Sequence, residues 1–429
     1  MKIIELNNEI NRKELLKRPE KDQQNLEQTV AIVFDEVKSM GDRAVKKNTR
    51  QFDKVELTGL SASDTELEEA EKKVSRQLKN AIEIAKNNIE KFHLSQKEEV
   101  KMIETVPGVT CWRESKAIEK VGLYIPGGTA PLFSTVLMLA IPARIAGCKE
   151  IVLCSPPNTE GKIHPAILYA AKITGVTKIF KAGGIQAIAA MTFGTESVPK
   201  VHKIFGPGNQ YVTAAKQYAM RKGMAIDMPA GPSEVLVLAD DTADPEFVAA
   251  DLLSQAEHGA DSQVILVCFS VKFAEKVLKA VAIQLEELPR KDIAKQALEN
   301  SKAIIVSSQK EAIAIINDYA PEHLIISVED EGEYLDEIEN AGSVFIGMYT
   351  PESAGDYASG TNHTLPTNGY AKSWSGVSLD SFVKKITFQR ISPKGLQSLG
   401  PSIEIMAEAE ELRAHKNAVS VRLKKINRG

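Results

Sequence analysis

Three histidines stand in polar stretches that glycine or proline interrupts, where a side chain can reach a cleft. His258 lies in SQAEHGADS, His323 in YAPEHLII and His363 in SGTNHTLPT. A fourth, His415, lies in EELRAHKNAV near the C-terminus. Because imidazole ligates metals and exchanges protons near neutral pH, these four histidines are the first candidates for chemistry.

Gln255 precedes His258 by three positions at the end of a predicted helix, so both side chains project toward the following loop. Such a pair can hold one metal ion, although QxxH is also typical of a helix C-terminus with a surface histidine. Asp356, in the Gly- and Ser-rich loop ESAGDYASGTNHTLP, is a candidate further ligand or, alternatively, part of an Asx turn. With His415, these residues supply a nitrogen and oxygen set suited to Zn²⁺, with substrate completing the sphere.

Glu322 and His323 follow Pro321 at the junction of a predicted helix with the strand HLIISV. An adjacent carboxylate and imidazole can divide the proton transfers of an oxidation. The imidazole takes a proton from an alcohol, and the carboxylate activates water. The alternative is a capping glutamate beside a half-buried histidine.

Three glycine-containing turns each precede a predicted helix, at residues 126–128, 183–184 and 206–208. Backbone N–H groups at a helix start can receive a phosphate, which suits a dinucleotide. No strand ends in GxGxxG, so tight turns without a ligand remain the alternative.

The surrounding elements alternate between strand and helix. From about residue 120 the predicted strands are VGLYIPGG, EIVLCSPP, KIFKAGG and KIFGPGN, each followed by a helical stretch. A second set runs through VLVLAD, QVILVCFS, AIIVSS, HLIISV and GSVFIG. This pattern predicts two parallel sheets in one chain, with ligands near the carboxyl ends of the strands in the cleft between them.

The two ends of the chain have other patterns. Residues 22–92 carry apolar side chains at helical spacing, which predicts long amphipathic helices. From residue 376 the pattern predicts a strand, SFVKKITFQRI, and one helix over about residues 394–425. This tail is too small to bury a core of its own, which suggests that it packs on another body such as a second subunit.

The composition limits the class of protein. A chain of 429 residues exceeds the size of one hydrophobic core, so two or more domains are expected. With 43% hydrophobic residues and a net charge of -4, nothing favours nucleic acid or a membrane as partner. We expect a small-molecule partner and a cytoplasmic location, since no apolar run has the length of a signal-peptide core or a membrane span.

Eight segments, in order between about residues 120 and 425, resemble the histidinol dehydrogenase family. They are VGLYIPGGTAPLFSTVLMLAIPARIAGC, AGGIQAIAAM, KIFGPGNQYVTAAK, DMPAGPSEVLVLAD, LLSQAEHGADSQ, APEHL, GDYASGTNHTLPT and AHKNAVSVRL. The resemblance implies a zinc-dependent alcohol and aldehyde oxidoreductase of histidine biosynthesis. Enzymes of this kind oxidise L-histidinol through L-histidinaldehyde to L-histidine with two NAD⁺. It also implies one Zn²⁺ per subunit and a homodimer with exchanged tails.

The resemblance assigns roles position by position. It implies zinc ligation by Gln255, His258, Asp356 and His415. Glu322 would activate the water that attacks the aldehyde, and His323 would relay protons. Substrate would contact Ser233, His363 and Glu410 together with His323 and the zinc ligands, and NAD⁺ would contact Tyr124, Gln186 and Asn209. Glu410 and His415 would serve the neighbouring subunit.

The predicted fold is α/β, with two incomplete Rossmann-like parallel-sheet domains, a small N-terminal helical segment and a small C-terminal tail domain. The predicted boundaries are 1–24 for the helical segment, 25–122 with 234–375 for the first α/β domain, 123–233 for the second and 376–429 for the tail. The first α/β domain would carry the metal and catalytic residues, and the second would bind NAD⁺.

Two other functions stay open from the residues. An aldehyde dehydrogenase with a cysteine nucleophile would also pair two α/β units. The four cysteines, Cys111, Cys148, Cys154 and Cys268, lack CxxC spacing, and Cys154 and Cys268 lie in or near apolar strand-like runs. A metal- or nucleotide-binding protein without turnover would need neither Glu322 nor His323.

Overall fold

The computed structural model describes residues 1–7, 11–19, 24–127, 131–229 and 231–428. The chain forms two compact units, the first made of residues 1–95 and 118–382 and the second of residues 96–117 and 383–429. Among the described residues, no helix combines the length and the apolar character needed to cross a membrane.

Helices predominate before residue 100, and strands and helices alternate after it. The first are β1 (Lys2–Glu5), α1 (Arg12–Leu15), α2 (Gln24–Met40), α3 (Asp42–Phe52), α4 (Asp64–Lys73), α5 (Arg76–Leu94), β2 (Ile103–Val106), β3 (Val109–Ala117) and β4 (Lys120–Tyr124). They are followed by α6 (Phe133–Ala146), β5 (Glu150–Ser155), α7 (Pro165–Thr174), β6 (Lys178–Lys181), α8 (Gly184–Phe193), β7 (Lys203–Phe205), α9 (Gln210–Arg221) and β8 (Ala225–Ile226).

The second half continues the alternation. It contains β9 (Glu234–Ala239), α10 (Pro245–Ala256), β10 (Gln263–Cys268), α11 (Val271–Leu285), α12 (Lys291–Glu299), β11 (Lys302–Ile305), α13 (Gln309–Tyr319), β12 (His323–Ser327), α14 (Gly332–Leu335), β13 (Ser343–Ile346) and α15 (Glu352–Tyr357). The last elements are 3-10 helices at Tyr370–Lys372 and Leu379–Phe382, then β14 (Val383–Ile391), α16 (Pro393–Ala409) and α17 (Arg413–Ile426).

A five-stranded parallel sheet has the order β6-β5-β4-β7-β8. Successive side chains of its strands enter different cores: Val121 and Leu123 pack on one face, and Tyr124 packs on the other. Helices α4 to α7 cover the first face, and α2, α3, α8 and α9 cover the second. Burial on both faces explains why these strands read as continuous apolar runs.

A six-stranded parallel sheet has the order β1-β11-β10-β9-β12-β13. Alternate residues of β9 again enter two cores, with Val235 and Val237 on the face of α10 to α12 and Leu236 and Leu238 on the face of α13. The predicted α/β class with two parallel sheets is confirmed. Strand β1 joins this sheet beside β11, which the sequence pattern did not predict.

The packing of the N-terminal helices differs from the predicted grouping of residues 25–122 with residues 234–375. Helices α2 to α5 contribute to the two cores of the five-stranded sheet, which is built from residues 120–226. Amphipathic spacing showed that these helices have an apolar face, but it carries no information about which sheet receives that face.

The second unit is a small sheet with two helices. Its strands are antiparallel in the order β14-β3-β2, and β14 pairs with β3 along its whole length. The prediction of one helix over residues 394–425 is wrong, because α16 ends at Ala409 and α17 begins at Arg413. Between them Glu411 has φ 60°, a left-handed conformation that ends an α-helix.

Candidate functional site

Glu322 and His323 lie at the amino end of β12, and both are buried rather than half-exposed. The backbone of Glu234 at the start of β9 binds both side chains. Its N–H donates to Glu322 Oε2 at 2.9 Å, and its carbonyl accepts from His323 Nδ1 at 3.1 Å. Because a carbonyl can only accept, the His323 proton is on Nδ1, and Nε2 faces the site.

The Glu234 side chain is fixed in turn by the N-terminal segment. Arg18 Nε lies 2.5 Å from Glu234 Oε1 and Arg18 Nη2 lies 2.9 Å from Oε2, a bidentate ion pair. Arg18 Nη2 also donates to the Tyr319 carbonyl at 2.7 Å, and the guanidinium lies 4.0 Å from the Tyr319 ring centroid. A bidentate pair fixes direction as well as distance, so Arg18 holds the residue that orients Glu322 and His323.

Gln255 and Glu352 extend this buried cluster. Gln255 is in the last turn of α10, whose C-terminus lies at the same edge of the sheet as the amino end of β12, and Glu352 is the first residue of α15. Gln255 Nε2 donates a short hydrogen bond to Glu352 Oε1. Three buried atoms of the cluster have no hydrogen-bond partner in the part of the chain that the structure describes: Gln255 Oε1, His323 Nε2 and Glu352 Oε2.

Asp356 lies in helix α15, one turn after Glu352, so the prediction that it stands in a loop is wrong, and the alternative of an Asx turn falls with it. Its Oδ1 is 3.6 Å from His323 Nε2. Its backbone carbonyl accepts from His363 Nδ1 at 2.8 Å, and His363 Nε2 lies 3.0 Å from Thr135 Oγ1 near the start of α6. Thr135 thus connects this cluster to the carboxyl edge of the five-stranded sheet.

His323, Glu352 and Asp356 each place a ligand-type atom within 4.8 Å of the others, so among the described residues they form a group that could hold a metal ion. Burial raises the pKa of Glu322 and of Glu352 to about 8. Burial alone would lower the pKa of His323, but Glu352, Glu322 and Asp356 raise it to about 10. A cation bound among these carboxyl groups would stabilise their charged form, so the raised pKa values fit a site that takes up a cation.

The remaining predicted site residues fall into two groups. His258 follows α10, is exposed, and interacts electrostatically with Asp356 and His363, while Ser233 directly precedes β9. Glu410 and His415 lie in the second compact unit, at the end of α16 and in α17, and both are exposed there. The first group belongs to the same unit as Glu322 and His323.

The three residues predicted for the cofactor lie at the carboxyl ends of the five-stranded sheet. Tyr124 ends β4, Gln186 is in the first turn of α8 after β6, and Asn209 follows β7. The Tyr124 hydroxyl accepts from Gly184 N at 3.2 Å. Asn209 Oδ1 caps α9 by accepting from the N–H groups of residues 211 and 212, which leaves its amide N–H₂ to contact a ligand.

The start of α8 has features of a phosphate site. Its N-cap, Gly183, has no side chain that could cap the helix, and the first N–H, that of Gly184, donates to the Tyr124 hydroxyl. The N–H groups of residues 185 and 186 are therefore the ones that could donate to a phosphate. A Cβ at Gly183 would lie 2.6 Å from Pro156, and the buried hydroxyl of the adjacent Ser155 has no hydrogen-bond partner among the described residues. Gly128, in the predicted turn at residues 126–128, lies outside the described residues.

Several residues of the site escaped the sequence prediction. Glu352 and Glu234 are buried and Arg18 is partly buried. A charged residue in a helix or loop gives no sequence signal of burial. Asp53 was also missed: it lies 3.4 Å from Gln186 Nε2, and burial raises its pKa to about 6.

The cysteines are poorly suited to act as nucleophiles. Burial raises the pKa of Cys154 to about 12 and those of Cys148 and Cys268 to about 11. The reactive form of a cysteine is the thiolate, which these environments disfavour.

Comparison with known proteins agrees with this geometry. A family model described as histidinol dehydrogenase matches residues 16–423. A protein of Bacteroides fragilis named histidinol dehydrogenase is 62% identical over 428 residues, covering 100% of both chains. The crystal structure of histidinol dehydrogenase from Elizabethkingia anophelis superposes with a TM-score of 0.97 at 59% identity, covering 100% of this chain and 99% of that one. The chain belongs to the histidinol dehydrogenase family of oxidoreductases.

Proposed function

We propose that this protein oxidises L-histidinol through L-histidinaldehyde to L-histidine, using NAD⁺ and one zinc ion per subunit. The observation that carries the proposal is the convergence of three buried unpaired atoms, Gln255 Oε1, His323 Nε2 and Glu352 Oε2, beside Asp356. Unpaired buried polar atoms are costly and rare, so such a cluster fits a site that is completed by a ligand. Membership of the histidinol dehydrogenase family supports zinc and histidinol as that ligand.

The proposed zinc ligands are Gln255, His258, Asp356 and His415 of the partner subunit. Oxygen and imidazole nitrogen donors of this kind suit Zn²⁺, and three of the four are in one unit around the cluster. When bound, the ion orients the substrate and stabilises charge. Ser233, His363 and Glu410 would complete the contacts to the substrate.

Glu322 and His323 would carry the proton transfers. With a cation bound among the carboxylates that raise its pKa, His323 would be neutral and would take the proton from the substrate hydroxyl at its Nε2, the ring nitrogen that faces the site. Its Nδ1 would stay bound to the Glu234 carbonyl at 3.1 Å. Glu322 would remove a proton from the water that attacks the aldehyde carbon. The raised pKa of Glu322, about 8 because of burial, makes its carboxylate a stronger base than a solvated one.

NAD⁺ would lie at the carboxyl edge of the five-stranded sheet and accept the hydride of each oxidation. The N-terminal turn of α8, the Ser155 hydroxyl, which has no partner among the described residues, and the close approach of Gly183 to Pro156 support this location. Tyr124, Gln186 and Asn209 would contact it. The homodimer with exchanged tails and the cytoplasmic location stay predictions from the sequence.

The activity predicts a stoichiometry. With L-histidinol and excess NAD⁺, we expect about two NADH per histidine, because each two-electron oxidation transfers one hydride. Removing the metal with a chelator should abolish turnover, and adding Zn²⁺ should restore it. NADH would be followed at 340 nm, and histidine would be quantified in the product.

The same assay separates the proposal from a protein that only binds metal or nucleotide. Zinc-loaded protein that yields no NADH from histidinol would overturn the proposed activity. If one NADH forms per histidinol consumed and the aldehyde is released, the proposed alcohol oxidation stands and the proposed aldehyde oxidation is contradicted.

A second prediction concerns the cysteines. A variant with alanine at positions 111, 148, 154 and 268 should keep its turnover within about twofold, because a thiolate is not needed and buried thiols are inert. Steady-state NADH formation and zinc content would be measured together. Loss of activity in a folded, zinc-loaded variant would favour the aldehyde dehydrogenase mechanism with a cysteine nucleophile.

A further inference from the structure

Glu352 is buried at 1% exposure, and its carboxyl group lies within the cluster. One oxygen, Oε1, accepts the short hydrogen bond from Gln255 Nε2, and the other has no hydrogen-bond partner. Within the cluster it stands near His323 and Asp356, with ligand-type atoms within 4.8 Å. None of the roles proposed above uses this residue.

The direction of the Gln255 amide depends on this contact. Gln255 Nε2 also lies 3.2 Å from His323 Nδ1, but Nδ1 carries the proton that it donates to the Glu234 carbonyl. Nδ1 therefore cannot accept from the amide. The Glu352 carboxylate is the acceptor that selects the N–H₂ end of the amide and leaves Gln255 Oε1 buried and unpaired.

The two ends of the amide have opposite effects on a cation. The carbonyl oxygen has lone pairs that can ligate a metal ion, whereas the N–H₂ group presents hydrogens and cannot. A half-turn of the Gln255 amide would thus convert a ligand into a repulsive group. A charged acceptor behind the amide prevents that half-turn, as groups behind metal ligands commonly do.

We propose that Glu352 is a positioning residue that holds the Gln255 amide with Oε1 toward the zinc ion. The inference rests on the proposed function, since it assigns Gln255 as a ligand of that metal. Glu352 then contributes to zinc affinity through Gln255 and not as a ligand itself.

The test is zinc affinity in a double-mutant cycle. Full-length wild type, Glu352→Gln, Gln255→Ala and the double variant would be stripped of metal and titrated with Zn²⁺ against a chromophoric chelator. Glu352→Gln keeps the side-chain size but offers an amide that can pair with either end of Gln255. We expect its zinc Kd to rise by about 10- to 100-fold. In the Gln255→Ala background the same change should alter the Kd by less than about twofold, because the group through which it acts is absent.

A matched control is Glu275→Gln, which removes the same charge from an exposed position on α11 and should leave the Kd unchanged. Circular dichroism would verify that each variant is folded. Equal zinc affinity of Glu352→Gln and wild type, or a full additional loss in the Gln255→Ala background, would overturn the positioning role. If the wild type itself binds no zinc, the proposed function fails together with the positioning role. That outcome differs from the two above, in which the wild type binds zinc and only the role of Glu352 fails.

Discussion

Glu322→Gln lowers the rate of histidine formation by about 10²- to 10⁴-fold, the range expected when a general base is removed. The substitution keeps the shape of the side chain, and the glutamine oxygen can still accept from Glu234 N, so the fold should persist. What is lost is the carboxylate that takes a proton from water. The first oxidation does not need that water, so a burst of about one NADH per active site should remain.

Rapid-quench measurement of NADH and histidine from zinc-loaded enzyme would separate the two steps. Glu329→Gln is the matched control, because Glu329 is exposed beyond the other end of β12 and its loss should leave both phases unchanged. Histidine formation near the wild-type rate would contradict the role assigned to Glu322. Loss of the burst would show that Glu322 also acts in the alcohol oxidation, contrary to the division of roles proposed here.

The parallel strands were predictable from the sequence because they are buried on both faces. Every residue of β9 and β10 is buried, so runs such as VLVLA and VILVC are apolar throughout and do not alternate between apolar and polar residues. The pairing of Glu322 with His323 at a helix-to-strand junction was also predictable from the residues on either side. These features depend on local pattern alone.

The edge of the six-stranded sheet that carries the site was not predictable in the same way. We expected ligand residues at the carboxyl ends of the strands, and Tyr124, which we propose for the cofactor, is the last residue of β4. His323 and Glu234, however, begin β12 and β9, so this part of the site lies at the amino edge. The edge of the sheet that carries the site is decided by long-range packing. Hydrophobic periodicity and composition describe local structure and do not predict that packing.

Buried charge was the other limit. Arg18 stands before the first predicted motif, and Glu234 follows it by 216 positions, yet the two form a bidentate ion pair. Nothing in the local sequence of either residue indicates that partner. Asp356 was assigned to a loop because glycines and serines surround it, whereas α15 is a short helix held by packing of its Gly355 against Phe345.

The turn that leads to Asn209 is fixed by a buried ion pair, and breaking this pair should cost about 3 to 5 kcal/mol of unfolding free energy. Lys216 on α9 binds Asp227 directly, and their side chains are 3% and 0% exposed. Lys216 Nζ also donates to the Gly206 carbonyl at 2.9 Å, and Asp227 Oδ2 accepts from Gly206 N at 2.8 Å. Lys216→Met removes the cation and leaves the Asp227 carboxylate buried without its charge partner.

Urea unfolding of Lys216→Met would measure the loss, and Lys222→Met is the matched control. Lys222 is exposed at the end of the same helix, so its replacement should change stability by less than about 0.5 kcal/mol. The double variant Lys216→Met with Asp227→Asn should be more stable than the sum of the single losses predicts, because no unpaired charge remains buried. Equal stability of Lys216→Met and wild type would contradict the pair as a stabilising contact.

Since Gly206 has φ 128° and packs against the Tyr124 carbonyl, loosening of this turn in Lys216→Met should also raise the KM for NAD⁺ more than it lowers kcat.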